Sequence, residues 1–565
     1  MYKNILTVLK RLKYNLSYLF KSTINMPDKQ NKFNYVETDI KNFVNNYFEN
    51  DDLSFPVSPT HDNIGMHVFG SERENYYDYE YLAFDDFNKV SFSKKSFKPA
   101  FFNKGDVKVS FEKSRLQYHQ KQNKYNPIPK YFKEFGKNFR YPQIFWNSPM
   151  DVAIRNINLI FIYLRNKAKY NYETFEFLGN PWIEGSENYE DYALDWIAYH
   201  YEYLLNNLEN KGNVVGNHYL VELSSILFTL ANFEFEDKMK HFKKFENELS
   251  SQLEKQFYKS GLNFEGSTHY SLFVVEALII CKLSLSTIDK NSDLVKRIDQ
   301  IIHANKFFLT QLTIDGELSQ IGDNDSGRIF YRFFDEKNPL KIDWFFKLFN
   351  YFYYVNDVNP DLENFKKEIK NENIDLNLIN RVQHKKIRLF TKDYEFYSFK
   401  DFGIYVWRND NEYFSIRCGP IGQNGIGGHS HYDQLSIEAY TNNSWIARDS
   451  GTGTYTDDIE TRNKFRSLEY HWGPKPKMQF PKEDEFDCFS LNYMSGGEVI
   501  KFDKYNFLGF ADFNGKRIYR KIAFNDGEVR IEDFSNDVEL EEYNSWGEEK
   551  NGVKVKFSNG YKRIS

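Results

Sequence analysis

The stretch GPIGQNGIGGHSHYDQLSIEAYTNNSWIARDSGTGTY, residues 419–455, joins a glycine-rich turn to two runs that alternate apolar and polar residues. Glycines at 419, 422, 425, 427 and 428 let a loop turn tightly and bring its backbone close to a ligand. No Lys-Ser/Thr pair follows and the loop leads into a strand, which argues against a phosphate cradle. Leu435–Tyr440 and Trp445–Ala447 alternate at period two, the pattern of short strands. His429-Ser430-His431 is expected to enter the first of them, with both imidazoles on one face unless a bulge intervenes. Asp449 ends the next strand, and His471 follows in RSLEYHWGP.

Working outward, the alternation continues on both sides. Phe396–Phe399, Ile404–Trp407 and Tyr413–Ile416 read as strands, and Arg517–Phe524 and Val529–Phe534 flank Asn525-Asp526-Gly527, a hairpin signal. Further upstream the period changes. Between Pro149 and Tyr354 apolar residues recur at three- and four-residue steps: Val152, Ala153, Ile157, Ile160 and Leu164; Leu220, Leu223, Ile226, Leu227 and Leu230; Leu272, Val275, Leu278 and Ile279. Helices first and antiparallel strands second make two domains, not an alternating parallel sheet. From Asn25 to Asp62 the chain is polar, carries Pro27, Pro56 and Pro59, and reads as a linker or irregular lead-in.

At 565 residues the chain is long enough for several domains with cores of their own, which excludes a peptide hormone or a lone binding module. Lys plus Arg total 74 against 80 Asp plus Glu, a net charge of −6. That balance argues against a nucleic-acid partner or a general membrane-surface binder, so any anionic partner must be met by a local site. Cys281, Cys418 and Cys488 form no CxxC pair, and neither a disulfide framework nor a thiolate zinc site is indicated. Aromatic residues make up 18% of the chain, which aromatic-lined sugar clefts and simple compositional drift both produce. No stretch reaches the ~18 apolar residues of a transmembrane span.

Residues 1–26 stand apart. They hold Lys3, Lys10, Arg11, Lys13 and Lys21 with no acidic residue, while Ile5, Leu9, Leu12, Leu16 and Leu19 recur at helical steps. This basic amphipathic helix is read either as a docking helix or as a peripheral contact with an anionic membrane surface. Lys10, Arg11 and Lys13 break its apolar run, so no secretion signal is readable.

Four stretches carry residues capable of chemistry. In 419–471, two histidines and a carboxylate from His429, His431, Asp449 and His471 suit a zinc-like divalent ion, and hydrogen-bonded residues at a sheet rim use the same residue types. Gly216-Asn217-His218-Tyr219 precedes the helix from Leu220, where Asn217 or the residue beside it reads as an N-cap. NFEGSTHY, 263–270, again precedes a helix, with Ser267 or Thr268 as cap and Tyr270 able to sit in a core. GDNDSGR, 322–328, looks like a cation-binding turn but lacks the Glu and spacing of an EF-hand loop.

Taken in order, these stretches resemble the heparinase II/III group of polysaccharide lyases and its alginate lyase relatives. The resemblance rests on DVKVSFEKSRLQYH (106–119), NSPMDVAIRNINLIFIY (147–163), GNHYLVELSSILF (216–228), NFEGSTHYSLFVVEALI (263–279), GDNDSGR, GGHSHYDQLSIEAY, RDSGTGTY and RNKFRSLEYH (462–471). After the basic leader, taken as 1–35, it implies an incomplete α/α toroid over 36–386 and an antiparallel β-sandwich over 387–565. It also implies β-elimination at a 4-linked uronic acid of an acidic polysaccharide, in capsule or exopolysaccharide processing. The implied place is the cell envelope or periplasm, with the cytoplasm as the alternative.

The C5 proton is barely acidic beside an ionised carboxylate, so a donor must neutralise that carboxylate, a base must take the proton and an acid must protonate O4. By motif position, Asn217 would be the neutralising amide and His218 a substrate contact. Tyr270 would be the acid, and for one stereochemistry also the base, its phenol activated by nearby positive charge. His429 would be the second base or a carboxylate partner, and His431, Asp449 and His471 would hold a structural zinc. Ser271 stands where many relatives place a histidine. Two other classes stay open: a non-catalytic glycan-binding or polysaccharide-assembly protein of the same fold, and a hydrolase using Glu265 and Asp323. The sequence is silent on oligomeric state.

Overall fold

The structure is a computed structural model that describes, with short gaps, residues 32–49, 146–169, 189–353, 365–370, 380–479 and 489–542, with a few around 115–120 and 549–564. The basic helix expected over 1–26, most of the 106–119 motif and Cys488 lie outside the described residues. Two compact units interleave along the chain. The first takes Met1–Gln256, Phe273–Asp299 and Gly327–Phe334, and the second Phe257–Leu272, Gln300–Ser326 and Asp335–Ser565.

The first unit is helical, with α1 (Asp39–Glu49), α2 (Pro149–Lys169), α3 (Tyr189–Asn207), α4 (Asn217–Asn232) and α5 (Lys238–Gln256). Helix α1 corrects the linker reading of 25–62. Ile40, Val44, Tyr47 and Phe48 fall on one face and are buried, and the rings of Tyr47 and Phe48 meet Phe161 of α2. That apolar stripe outweighs the polar average of the surrounding sequence. Helix α2 buries Val152, Ile157, Ile160 and Leu164 as its periodicity requires. Its inward Asn156 donates through Nδ2 to Ser225 and Thr229 of α4 at 3.1 and 2.9 Å, which ties the two helices together.

Helices α6 (Thr268–Asp289) and α7 (Asp293–Gln311) contribute residues to both units. Among the described residues α6 is the one helix long and apolar enough to cross a membrane, and 72% of that stretch is buried inside the protein, as a core helix is.

The second unit holds α8 (Asp343–Phe352), the short α9 (Ile459–Phe465) and most of the strands, while Asn34–Tyr35 and Phe233–Glu234 pair within the first. β1 (Glu395–Phe399), β2 (Ile404–Arg408), β3 (Tyr413–Arg417), β4 (Ile437–Thr441) and β5 (Ser444–Ala447) pair antiparallel in chain order. A second antiparallel sheet is built on β6 (Met494–Phe502), β7 (Asn506–Phe513), β8 (Lys516–Asn525) and β9 (Glu528–Ser535), with Ile369–Lys370, Asn380–Gln383 and Ile387–Arg388 at its edges. Tyr405, Trp407 and Phe414 of the first sheet join Phe502, Phe507, Ile522 and Ile531 of the second in one apolar cluster. The Trp407 ring lies 5.0 Å from Phe502 and 4.6 Å from Phe524. The expected hairpin forms: Asp526 and Gly527 take φ of +48° and +76°, and Asn525 pairs with Glu528.

One expectation fails in the stretch that opened the sequence reading. The strand starts only at Ile437, and His429-Ser430-His431 lies in a loop. The side-chain amide of Gln434 bonds both the N–H and the C=O of Gly419, at 3.0 and 2.9 Å, and Leu435 turns at φ +62°. The chain is thereby folded back before the ladder can begin.

Strand β8 turns Ile518, Arg520, Ile522 and Phe524 inward, so period two buries a guanidinium among apolar side chains. Its cross-strand partner Asp533 accepts from Nε and Nη2, both at 2.7 Å, and His384 Nε2 lies 2.7 Å from the same carboxylate. Burial alone would push the Asp533 carboxyl up; Arg520 and His384 hold it well below the usual carboxylate range. Arg520 Nη1 also donates to the carbonyls of Leu435 and Trp472, at 2.6 and 2.7 Å, which anchors both loops to the sheet. Replacing Arg520→Ala leaves a buried carboxylate without its cation, and chemical denaturation should show a loss of about 3–5 kcal/mol. A loss below about 1 kcal/mol would mean that water reaches Asp533.

Candidate active site

The site is built around a turn that only glycine permits. Gly322 takes φ +67°, and a Cβ there would stand 2.3 Å from the His429 carbonyl oxygen and 2.7 Å from that of Gly266. This close approach lets the Asp323 N–H donate to His429 O at 2.9 Å, while Ser267 Oγ donates to Asp323 O at 2.6 Å. The Asp323 side chain is fully buried. It accepts from His429 Nδ1 at 3.1 Å, from His431 Nε2 at 2.9 Å, and from both terminal nitrogens of Arg462, Nη2 at 2.9 Å. Arg462 is delivered by α9, whose N-cap Asp458 accepts from Thr461 N at 3.0 Å. Burial would raise the Asp323 carboxyl, but the Arg462 charge and the two imidazole hydrogen bonds hold it well below the usual range.

Tyr270 sits in the first turn of α6, where Ser267 acts as the cap and accepts from Tyr270 N at 3.1 Å. Its ring stacks on His429, with centroids 3.7 Å apart and planes inclined by 19°. Its hydroxyl donates to Asp325 Oδ2 at 2.9 Å and lies 3.4 Å from Tyr455 Oη. Burial, then the charges of Asp325 and Asp323, push this phenol well above its ordinary value. The expected activation by nearby positive charge is therefore reversed at Tyr270, because the nearest charged groups are carboxylates. The Arg462 guanidinium stands 5.0 Å over the Tyr455 ring.

His429 also has Glu265 Oε2 at 3.8 Å from Nε2, and that carboxylate accepts from Gln423 Nε2 at 2.5 Å. Glu265 and Asp323 thus lie along one imidazole, both fully buried, and not across a gap that could hold a glycosidic bond. The turn read as cation-binding uses Asp323 for three basic side chains and Asp325 for a phenol.

His431, Asp449 and His471 are all buried, with one ligand-type atom from each lying within 4.8 Å of the others. Asp449 Oδ2 lies 2.7 Å from His471 Nδ1, and Oδ1 accepts from Gly451 N at 2.8 Å. His431 commits Nε2 to Asp323, and its buried Nδ1 has no hydrogen-bond partner among the described residues. An imidazole nitrogen of this kind beside a carboxylate and a second imidazole fits a zinc ion. Glu438 Oε1 accepts from Asp449 N at 3.0 Å, and burial followed by the Asp449 charge pushes its carboxyl up to about 7.

Asn217 and His218 belong to the first unit. Asn217 is the first residue of α4 and is buried, and the capping position falls to Gly216, the residue beside it. His218 is half exposed, with Nδ1 2.7 Å from Glu209 Oε2. Within the second unit, the structure gathers Tyr270, His429, His431, Asp449 and His471 with four groups given no catalytic role in the lyase reading: Asp323, Asp325, Arg462 and Tyr455. All four stood inside quoted motifs, but nothing in linear spacing pairs them.

Replacing Asp323→Asn removes the carboxylate charge that His429, His431 and the buried Arg462 share. A stability loss of about 3–5 kcal/mol is expected by denaturant titration. Because the folded carboxyl is depressed, its contribution is full above the unfolded pKa of ~3.9 and is lost as pH falls. The variant's stability should consequently depend less on pH below about 4 than that of the wild type; parallel acid limbs would show that the ion cluster adds nothing.

Residues 391–471 match the family described as Heparinase II/III-like, C-terminal. No curated protein matches the chain in sequence. Among solved structures, that of heparinase III is similar at a TM-score of 0.51 and 12% identity, covering 93% of this chain and 76% of the other. Heparan sulfate lyase HepC from Pedobacter heparinus is similar at a TM-score of 0.43 and 14% identity, covering 87% and 73%. The segment that supplies His429, His431, Asp449 and His471 is thus heparinase II/III-like in sequence, and the chain shares its fold with heparinase III.

Proposed function

We propose that this protein is a polysaccharide lyase that cleaves a 4-linked uronic acid within an acidic polysaccharide by β-elimination. The domains it would use are an incomplete α/α toroid and a β-sandwich, and its setting would be capsule or exopolysaccharide processing in the cell envelope. The observation that carries the reading is the stacked pair of Tyr270 and His429, two proton-transfer groups held in one geometry by buried carboxylates. Asp323 on Nδ1 fixes the His429 tautomer and leaves Nε2 as the proton acceptor. Asn217, by its motif, neutralises the substrate carboxylate so that the C5 proton becomes removable, with His218 contacting the sugar beside it. With a net charge of −6, long-range steering does not draw in a polyanion, and recognition falls to local groups.

His431, Asp449 and His471 would hold a structural zinc that fixes the 429–435 loop and stays away from the scissile bond. Asp323 bonds both His431 and His429, so the orientation of one imidazole constrains the other.

A panel of polyuronates, including alginates and heparan sulfates, tests the activity through the ultraviolet absorbance of the unsaturated product. Wild type should release product from at least one polymer, and Tyr270→Phe should lower the rate by about 10²–10⁴-fold. Polymer bound equally by both proteins, with product from neither, would favour the non-catalytic glycan-binding reading. Metal analysis should find about one zinc per chain in wild type and loss of it in His431→Ala; an unaltered melting temperature of wild type after complete chelation would remove the zinc.

A further inference from the structure

Asp325 has no role in the reaction as described above, yet its Oδ2 accepts the hydroxyl proton of Tyr270 at 2.9 Å. Among the described residues, Asp323, Tyr455 with Oη at 3.4 Å and the stacked His429 ring also face that phenol, and Arg462 lies over the Tyr455 ring. A bare phenolate here would sit in a buried site beside two carboxylates, and the phenol is held well above its ordinary pKa. In the stereochemistry where Tyr270 serves as both base and acid, it must nevertheless first take a proton and then give one. The hydrogen bond to Asp325 resolves the conflict.

Resting on the lyase reading, we propose that Asp325 is the proton partner through which Tyr270 works. As Tyr270 Oη takes the C5 proton, its own proton passes to Asp325 Oδ2. The electron pair of the broken C5–H bond is held in the enolate-like intermediate and then forms the C4=C5 double bond as the C4–O4 bond breaks. Asp325 returns its proton to Tyr270 while Tyr270 delivers one to the leaving O4. Both side chains end as they began, no outside acid or base is consumed, and Tyr270 never carries a full negative charge. Because one oxygen serves both transfers, the C5 hydrogen and O4 must leave from the same face of the sugar. Asp325 acts through Tyr270 and is a positioning residue, not one that touches substrate.

The test compares wild type, Asp325→Asn, Asp325→Glu and Tyr270→Phe on the same polyuronate panel, with full pH profiles. At neutral pH, Asp325→Asn should lose about 10²-fold or more in kcat with KM changed by less than about threefold. Its acid limb should move from the carboxylate range into the phenol range, because Tyr270 must then ionise unaided. Asp325→Glu should restore much of the neutral-pH rate. Ultraviolet titration against a Tyr270→Phe blank, which needs no substrate, should show Tyr270 ionising at lower pH in Asp325→Asn.

Equal pH profiles for wild type and Asp325→Asn would overturn the relay while leaving the lyase intact. A loss of rate uniform across pH and unrelieved by Asp325→Glu would assign Asp325 a purely structural role and overturn it too. Cleavage confined to epimers whose C5 hydrogen and O4 lie on opposite faces would do the same. A wild type that cleaves no polymer sinks the lyase reading itself, and the relay with it.

Discussion

The buried carboxylate of Asp323 is the constraint on which the rest of the site depends. Taking an anion out of water costs several kcal/mol, repaid only when its lone pairs are met by well-placed donors. Here the donors are His429 and His431 of one loop and both terminal nitrogens of Arg462 on α9, two separate places in the chain. Each donor therefore limits where the others can be. The plane of the His429 ring follows from this set, and the stacking of Tyr270 follows from the plane. Gly322 is what allows the carboxylate to arrive, since any side chain there would meet the His429 carbonyl.

A second buried ion cluster repeats the device beneath the loops. Asp533 accepts from Arg520 and meets His384, and Arg520 extends to the carbonyls of Leu435 and Trp472. Those carbonyls lie just after the His431 loop and next to His471. The antiparallel sheet thus sets the loop backbone through a guanidinium while Asp323 sets the side chains. Loops carry the chemistry because rigid strands hold their ends.

The surroundings of Tyr270 show why residue type and residue environment are separate questions. A phenol becomes a base most simply when a cation lies nearby, and a motif supplies the phenol without saying what surrounds it. In this chain Asp325 and Asp323 are the near charges, and they raise the phenol where a cation would lower it. Glu265 and Asp323 make the same point. As a pair of carboxylates they are compatible with hydrolysis on paper, whereas in the fold both lie along one imidazole.

Much was legible in the linear chain because local pattern reports local structure. The helical steps of Val152 to Leu164 and of Leu220 to Leu230, the alternation from Phe396 onward, and the turn at Asp526-Gly527 all form as read. Two local readings failed where a neighbour outweighed the pattern. The stripe of Ile40, Val44, Tyr47 and Phe48 made a helix inside a polar stretch, and the Gln434 amide ended the strand before it reached His431. By itself the sequence determined which chemical groups are available: a phenol, imidazoles, an amide and carboxylates, in recognisable motifs. Only the tertiary structure decided which of them meet. Asp323 lies 106 residues from His429 and 139 from Arg462, and no periodicity reaches across such separations. Such pairings are selected by the cost of leaving a buried charge unmatched, which exists only once the chain has folded around it.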